Sequence, residues 1–276
     1  MKANNLTISI PASCTKNCPY CISQMTWAPK VDQALFYKNL PVAKMVARQA
    51  QVSSVLLTSK GEPLNNRDAV ILCLDKFKSY PTELQTNGDL LTENMISELA
   101  LHSLNTLAIS IDYYKSIYKF DYIYEMCNGL GIIPRITIVL TSIWQEFDVD
   151  GILKECKELG IKQLTFRKSS VPNILSGPNA EKTAAWIQNH KHTYDNNDIS
   201  QQEKFLNNII EKMSESKSLV RNLPFGGGVY DINGIAITII DYCIQESNNT
   251  EDIRSIIHHQ DGHGYTDWDK PGSILY

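Results

Sequence analysis

The chain has 276 residues, of which 43% are apolar, and its formal net charge is −4. This length fits one large domain or a domain with an appendage, and the apolar fraction is enough for a buried core. The sequence has no block of basic residues, which argues against a broad non-specific nucleic-acid surface. No apolar run approaches the ~18 residues that span a membrane, and no signal-peptide core follows Met1. We therefore predict a cytoplasmic protein with no membrane partner.

The first part of the chain alternates short apolar strands with longer helical stretches. Repeated strand–helix units imply a parallel sheet with right-handed crossovers, as an open partial barrel or a doubly wound sheet. The predicted strands are Leu6–Ile10, Ser54–Thr58, Glu83–Thr86, Thr106–Ile111, Arg135–Leu140 and Gln163–Arg167.

The character of the sequence changes after Val171. A polar stretch covers His190–Asp198, an amphipathic helix is predicted over Gln201–Ser214, and Asp261-Gly262 gives a hairpin signal. We predict two domains, a core of residues 1–172 and a C-terminal α+β appendage of residues 173–276. The appendage is expected to cap the substrate side of the core.

Three cysteines follow the first strand in the order Cys14-Thr-Lys-Asn-Cys18-Pro-Tyr-Cys21, a C-x3-C-x2-C spacing. Three thiolates on one tight loop can face a single centre, and iron–sulfur clusters take cysteine thiolates, usually four. With only three close together, one iron of a four-iron cluster keeps an open position that can bind a ligand. The alternatives are a zinc site completed by a fourth ligand and an incidental cysteine cluster.

The remaining cysteines are widely scattered, which does not predict a disulfide framework or a second cluster. Cys73, Cys127 and Cys156 fall in helical stretches and are predicted to be core residues. Cys243 follows the apolar run Ile235–Ile240, where a side chain could face the mouth of a barrel.

The cysteine spacing, placed after the first strand of an α/β chain, resembles the radical S-adenosylmethionine (SAM) superfamily. The resemblance covers about the first 170 residues. It implies a partial (β/α)6 TIM-like barrel with its chemistry at the C-terminal ends of the strands. It also implies a [4Fe-4S] cluster on Cys14, Cys18 and Cys21 whose open iron chelates SAM. Reductive cleavage of SAM would then give a 5′-deoxyadenosyl radical that abstracts hydrogen from a substrate.

The turn after the second strand, Lys60-Gly61-Glu62-Pro63, resembles the Gly-Gly-Glu-Pro motif of that family, with Lys60 in place of the first glycine. The resemblance implies that Gly61, Glu62 and Pro63 hold the SAM amino group, an ammonium beside a carboxylate. The alternative is a simple turn with a solvated glutamate.

Polar residues lie at the ends of the third, fourth and sixth strands. Thr86-Asn87-Gly88, Ser110 and Asp112 match motifs seen in the family, which implies that Asn87, Ser110 or Asp112 contacts the SAM ribose or the substrate. The alternative is capping and turn chemistry. Arg167 could hold the SAM carboxylate in a bidentate fork, or it could contact the substrate or carry a surface charge.

The C-terminal hairpin is rich in histidine and aromatic residues, namely His258, His259, Tyr265 and Trp268. These residues predict either a substrate lid with acid–base groups or a polar hairpin surface.

The predicted function is therefore that of a radical SAM enzyme that acts on a small molecule, sugar, nucleotide or peptide, with flavodoxin or ferredoxin as electron donor. The absence of a second cysteine cluster favours a redox-neutral reaction, an epimerisation or rearrangement of the isomerase type, with Cys243 as hydrogen donor. A buried structural role is the alternative for Cys243. The alternative functions are an RNA- or nucleotide-modifying radical SAM enzyme, which the acidic balance disfavours, and a zinc-binding structural or interaction module.

Overall fold

The computed structural model describes residues 2–111, 114–141, 149–190, 207–213, 218–223, 227–240 and 253–276. The strands are β1 (Ala3–Ser9), β2 (Ser54–Thr58), β3 (Thr82–Thr86), β4 (Thr106–Ile111), β5 (Ile133–Leu140), β6 (Gln163–Lys168), β7 (Leu219–Asn222), β8 (Gly228–Ile232), β9 (Ile235–Ile240), β10 (Ile253–His258) and β11 (Gly264–Tyr265). The helices are α1 (Ile22–Met25), α2 (Gln33–Gln49), α3 (Arg67–Phe77), α4 (Glu93–Leu101), α5 (Asp121–Gly129), α6 (Val149–Glu158), α7 (Ala180–Asn189) and α8 (207–213).

Within these residues, eleven strands form one sheet in the order β11-β10-β1-β2-β3-β4-β5-β6-β9-β8-β7. The eight strands from β10 to β9 in this order run parallel, whereas β11, β8 and β7 are antiparallel to their neighbours. The predicted α/β class and parallel sheet are therefore confirmed.

The last third of the chain extends the same sheet on both sides. Strand β9 pairs with β6, and β10 pairs with β1. The hairpin expected around Asp261-Gly262 is the antiparallel pair β10–β11. The division into domains at residue 172 stays a prediction.

The sheet has one apolar and one polar face, because side chains alternate along each strand. Helices pack on the apolar face and form the main core with it. Its strand residues include Leu6, Ile8, Val55, Leu57, Leu84, Leu107, Ile109, Ile136, Ile138, Leu164, Phe166, Ile237 and Ile239. The opposite face carries half-buried polar residues, among them Glu83, Gln85, Ser110, Arg135, Thr137, Gln163, Thr165 and Thr238.

Most predicted elements are present, with shifted ends. Strands β2 and β4 match the prediction residue for residue, and β1 begins at Ala3 instead of Leu6. The Thr92 hydroxyl accepts a hydrogen bond from Met95 N at 3.2 Å and so caps α4. None of the described helices is long and apolar enough to cross a lipid bilayer.

The sequence from Ser116 to Leu130 predicts one helix, but the structure divides this segment in two. A 3₁₀ turn covers Tyr114–Phe120, and α5 begins only at Asp121. Phe120 is buried, and its ring fills the space where a side chain on Gly88 would lie. Phe120 lies at the junction of the two helical segments, and a pattern of apolar residues along the chain could not reveal this contact.

His258 at the end of β10 joins this strand to α2. Its side chain is fully buried, with Nε2 3.0 Å from Phe36 O and Nδ1 3.1 Å from Tyr276 Oη. A neutral imidazole satisfies both contacts, donating from Nε2 and accepting at Nδ1. Burial lowers the pKa of His258 to about 4, and burial together with the charge of Lys60 lowers the pKa of His259 to about 3. The expected polar hairpin surface is wrong for these two residues, because both are in the interior.

We expect the free energy of unfolding to decrease as the pH falls from about 6.5 to about 5. Unfolded histidines bind protons near pH 6.5, whereas His258 and His259 stay neutral in the folded state, so acid favours unfolding. Each imidazole contributes up to about 1.4 kcal/mol per pH unit. Urea unfolding as a function of pH measures this slope, and His258→Gln should reduce it. An unchanged slope in His258→Gln would contradict the assignment.

Candidate active site

The predicted cluster ligands lie on one loop at the carboxyl edge of the sheet. This cysteine loop, residues 10–26, leaves β1 and ends with α1. Cys21 N donates to Cys18 O at 3.2 Å and starts α1. None of the three cysteines forms a disulfide; Cys14 is exposed, and Cys18 and Cys21 are partly exposed. Among the described residues, no three His, Cys, Asp or Glu side chains converge in the manner of a metal site. The three cysteines thus share one loop, but their sulfur atoms do not converge on one point. Their role as ligands stays a prediction.

The other described cysteines are core residues, as predicted. Cys73, Cys127 and Cys156 are fully buried, and burial raises the pKa of Cys127 and Cys156 to about 12. These thiols are therefore neutral in the interior of the protein. Cys243 lies outside the described residues.

The turn after β2 supports the first half of the cysteine loop. Glu62 N donates to Ser13 O at 3.0 Å. Gly61 lies so close to the loop that a Cβ atom there would be 2.3 Å from Ala12 O. Only glycine permits this approach of two backbones, which gives a physical reason for Gly61 in the motif.

Glu62 connects the turns that follow β2 and β3. Its side chain is in the interior, since the residue is only 1% exposed. The carboxylate accepts hydrogen bonds from Thr86 Oγ1 at 2.7 Å, Asn87 N at 2.8 Å and Leu64 N at 3.1 Å. Burial raises the pKa of Glu62, although these three bonds oppose the shift. The alternative interpretation of Glu62 as a solvated glutamate is therefore wrong. Its pairing with the amino group of SAM stays a prediction. Pro63 is also buried and begins a 3₁₀ turn.

The turn after β3 holds the loop from the other side. Asn87 Nδ2 donates to Thr15 Oγ1 at 2.8 Å, and Lys16 Nζ donates to Asn87 O at 3.4 Å. Lys16 also pairs with Asp89 at 3.6 Å. Gly88 adopts a φ of +81°, which allows the chain to turn here. Asn87 thus positions the cysteine loop, a role close to the turn chemistry that was the alternative interpretation.

The segment before α7 supports the second half of the loop. Ser176 N and Gly177 N both donate to Met25 O at 3.0 Å. Helix α7 then packs against Met25 through Ala180, Ala184 and Ile187. A Cβ atom on Gly177 would lie 2.3 Å from Gln24 O, so the contact is between backbones. Sequence reasoning missed this support because the contact joins distant parts of the chain.

The polar face of the sheet carries a row of hydroxyl groups near the carboxyl edge. Ser110, Thr137, Thr165 and Thr238 are aligned on β4, β5, β6 and β9, and all four are half-buried. Arg167 is also half-buried and lies one layer nearer the carboxyl ends of the strands. These positions suit the predicted contacts of Ser110 and Arg167 with a polar ligand. Asp112 lies outside the described residues.

The layer below the hydroxyl row is held by charges within the protein. Arg135 forms an ion pair with Glu83, and its Nε donates to Gln163 Oε1 at 2.8 Å. Gln85 Nε2 donates to the same carboxylate at 3.1 Å. This layer therefore closes the polar face toward the amino ends of the strands.

Lys60 lies beside the end of the cysteine loop. Its Nζ donates to Thr26 Oγ1 at 2.7 Å and is 5.4 Å from the centre of the Trp268 ring. Burial lowers the pKa of Lys60 to about 8, against the charges of Asp269 and Cys21, which raise it. In the sequence, Lys60 is visible only as a departure from a motif. Its contacts could not be predicted, because they involve residues far away along the chain.

Aromatic rings surround this lysine on the hairpin side. The His259 ring lies 5.9 Å from that of Trp27 and 5.4 Å from that of Trp268, with the rings near perpendicular. Gln260 N donates to His259 Nδ1 at 2.8 Å. The contact with Trp27 joins the hairpin of β10 and β11 to the residue that follows the cysteine loop.

No model of a known protein family matches the sequence. SuiB from Streptococcus suis, bound to its precursor peptide SuiA, superposes with a TM-score of 0.61 and 15% identity over 96% of this chain and 60% of SuiB. The enzyme anSMEcpe with bound AdoMet gives a TM-score of 0.61 and 17% identity over 98% of this chain and 77% of that structure. Coproporphyrinogen III oxidase HemN from Escherichia coli, a radical SAM enzyme, gives a TM-score of 0.50 and 12% identity over 80% of this chain and 55% of HemN.

These structures show that the chain has the fold of radical SAM enzymes, and the predicted resemblance is confirmed at that level. An uncharacterized protein of Methanocaldococcus jannaschii, MJ0804, is 29% identical over 162 residues, which are 55% of this chain and 52% of the relative. The chain thus spans about half the length of this relative and 60% of SuiB.

The role of Glu62 can be tested with Glu62→Gln. The glutamine amide would place N–H groups against the donors that now reach the carboxylate, so we expect the free energy of unfolding to fall by about 1–3 kcal/mol. Chemical denaturation measures this loss. The matched control is Glu98→Gln, which removes an exposed ion pair with Arg67 and should have a smaller effect. Equal losses in the two variants would contradict a role of Glu62 as the link between the turns.

Proposed function

We propose that the chain is a radical SAM enzyme that holds one [4Fe-4S] cluster on Cys14, Cys18 and Cys21. The observation that carries the proposal is the set of three accessible cysteines, none in a disulfide, on one loop directly after β1. This donor set fits an iron–sulfur cluster, which takes thiolate ligands. When bound, the cluster supplies the electron that cleaves SAM and gives a 5′-deoxyadenosyl radical.

The surrounding residues would bind and orient SAM. We propose that the turn of Gly61, Glu62 and Pro63 lies beside the amino group, and that Arg167 pairs with the carboxylate. The hydroxyl row, with Asn87 and Asp112, would receive the ribose or the substrate. The support for this arrangement is its position, because the carboxyl ends of the parallel strands meet at the edge that carries the cysteine loop.

The substrate is proposed to be a small molecule, sugar, nucleotide or peptide. Two structures with this fold contain peptides, SuiA in SuiB and the Kp18Cys peptide in anSMEcpe, which makes peptides the first class to screen. We further propose flavodoxin or ferredoxin as the electron donor and a cytoplasmic location, where thiols stay reduced. Nucleic acid and membrane are not proposed as partners.

We expect Cys18→Ala to lose both the cluster and SAM cleavage. The protein is reconstituted anaerobically with iron and sulfide, reduced in the presence of SAM, and assayed for 5′-deoxyadenosine. Iron and sulfide content gives a readout that does not depend on turnover.

The matched control is Cys127→Ala, which removes a buried thiol outside the site and should leave the iron content unchanged. An active Cys18→Ala variant would refute the cluster assignment. Bound zinc without colour or 5′-deoxyadenosine would instead favour the zinc-binding module.

Cys243 is proposed to return a hydrogen atom to the substrate radical in a redox-neutral epimerisation or rearrangement. The sequence supports this reaction type because it has no second clustered set of cysteines. Cys243→Ala should still form 5′-deoxyadenosine at the wild-type rate but stall or divert the substrate product. Mass spectrometry of the product detects the difference, and an unchanged product would exclude the donor role.

A further inference from the structure

Arg221 lies at the end of the row of hydroxyl groups on the polar face of the sheet. Thr238, the last hydroxyl of that row, pairs with Val229 on β8, and Val229 pairs with Arg221 on β7. Directly paired residues of neighbouring strands project from the same face of a sheet. Arg221 therefore extends the row to β7, the strand that ends the sheet in the described part of the chain.

A β-bulge puts Arg221 on this face. Leu219 pairs with Tyr230, whereas Arg221 pairs with Val229, so the register shifts by one residue between them. Tyr230 in turn pairs with the buried Ile237 on the apolar face. In a regular strand, residues two apart share a face, and Arg221 would then lie on the apolar face with Leu219. Bulges re-aim side chains in this way and are frequent next to active sites.

The guanidinium of Arg221 is available to a ligand. The residue is exposed and forms no side-chain hydrogen bond or ion pair in the structure of the described residues. Arg135, on the same face, is by contrast paired with Glu83. The row of neutral hydroxyl groups therefore ends in a cation whose planar fork of N–H donors matches a carboxylate.

We propose that Arg221 binds a carboxylate group of a peptide substrate that lies along the hydroxyl row. This inference rests on the proposed function and narrows its substrate class. Five strand spacings separate Ser110 on β4 from Arg221 on β7, which is roughly 24 Å along the sheet at about 4.8 Å for each spacing. An extended peptide of about seven residues covers this length, whereas a single amino acid or sugar does not.

Peptide groups also suit the rest of the row. Each peptide group carries one N–H donor and one C=O acceptor. Each hydroxyl group of the row can both donate and accept a hydrogen bond. The row thus suits a neutral backbone, and Arg221 adds a charged contact that selects a peptide with a carboxylate, on a side chain or at its C-terminus.

The test is the capture of peptides by the reconstituted protein in the presence of SAM, with the bound peptides quantified by mass spectrometry. Three pools of N-acetylated heptapeptides contain neutral residues at random. The first pool has one glutamate and an amidated C-terminus, the second has glutamine instead of the glutamate, and the third is the second with a free C-terminal carboxylate. We expect the wild type to capture at least one carboxylate pool about three- to tenfold better than the neutral pool, and the preferred pool identifies the source of the carboxylate.

Variants of Arg221 separate the charge from the shape of the side chain. Arg221→Gln removes the charge and keeps N–H donors, so the preference should fall below about twofold. Arg221→Lys keeps the charge without the planar fork and should give an intermediate preference. The matched control is Arg48→Gln, because Arg48 is also exposed but lies on α2, which packs on the apolar face. This variant should keep the wild-type preference.

The outcomes distinguish this inference from the proposed function. Equal capture of all pools by the wild type, or an unchanged preference in Arg221→Gln, refutes the role of Arg221. Displacement of the captured peptides by an equal concentration of N-acetylglutamate refutes the peptide class and favours a small acid. A wild-type protein that takes up no cluster refutes the proposed function, whereas the capture experiment still decides whether Arg221 binds a carboxylate.

Discussion

The buried carboxylate of Glu62 is the constraint on which the candidate site depends. It accepts hydrogen bonds from the turns that follow β2 and β3. The donors are Leu64 on the first turn and Thr86 and Asn87 on the second. A carboxylate in the interior is costly unless such donors satisfy it. The two turns are therefore held at a fixed separation. Because both turns also bond to the cysteine loop, through Ser13 and Thr15, this separation fixes the first half of the loop.

The second half of the loop is held by parts of the chain that come much later. Residues 176–179 and α7 pack on α1, and the C-terminal hairpin contributes the rings around Lys60. The cysteine loop thus lies between segments from both ends of the sequence. A fold in which β10 joins β1 brings these segments together, because the end of β10 is then adjacent to the start of the loop.

The parallel sheet was predictable because short apolar strands alternate with longer helical stretches. Apolar side chains recur every second residue in a strand and about every 3.6 residues in a helix. The cysteine loop and the glycine at position 61 were also readable, since spacing and turn chemistry are local. What could not be read is every contact between distant residues. The burial of His258, the bond from Lys60 to Thr26 and the support from α7 join residues far apart in sequence, and no local pattern encodes them. The prediction of one helix before and through α5 was wrong at the junction where Phe120 packs on Gly88, a contact between distant residues.

The side chains on the polar face of the sheet determine where a polar ligand could bind. Arg135 and Glu83 neutralise each other in the lower layer, where an unpaired charge would be costly. One layer higher, the hydroxyl groups of Ser110, Thr137, Thr165 and Thr238 can each donate and accept hydrogen bonds. A polar ligand therefore gains contacts near the carboxyl edge but not deeper in the sheet. The cysteine loop leaves β1 at the same edge, so a polar ligand in this layer would lie on the side of the sheet that carries the accessible thiols.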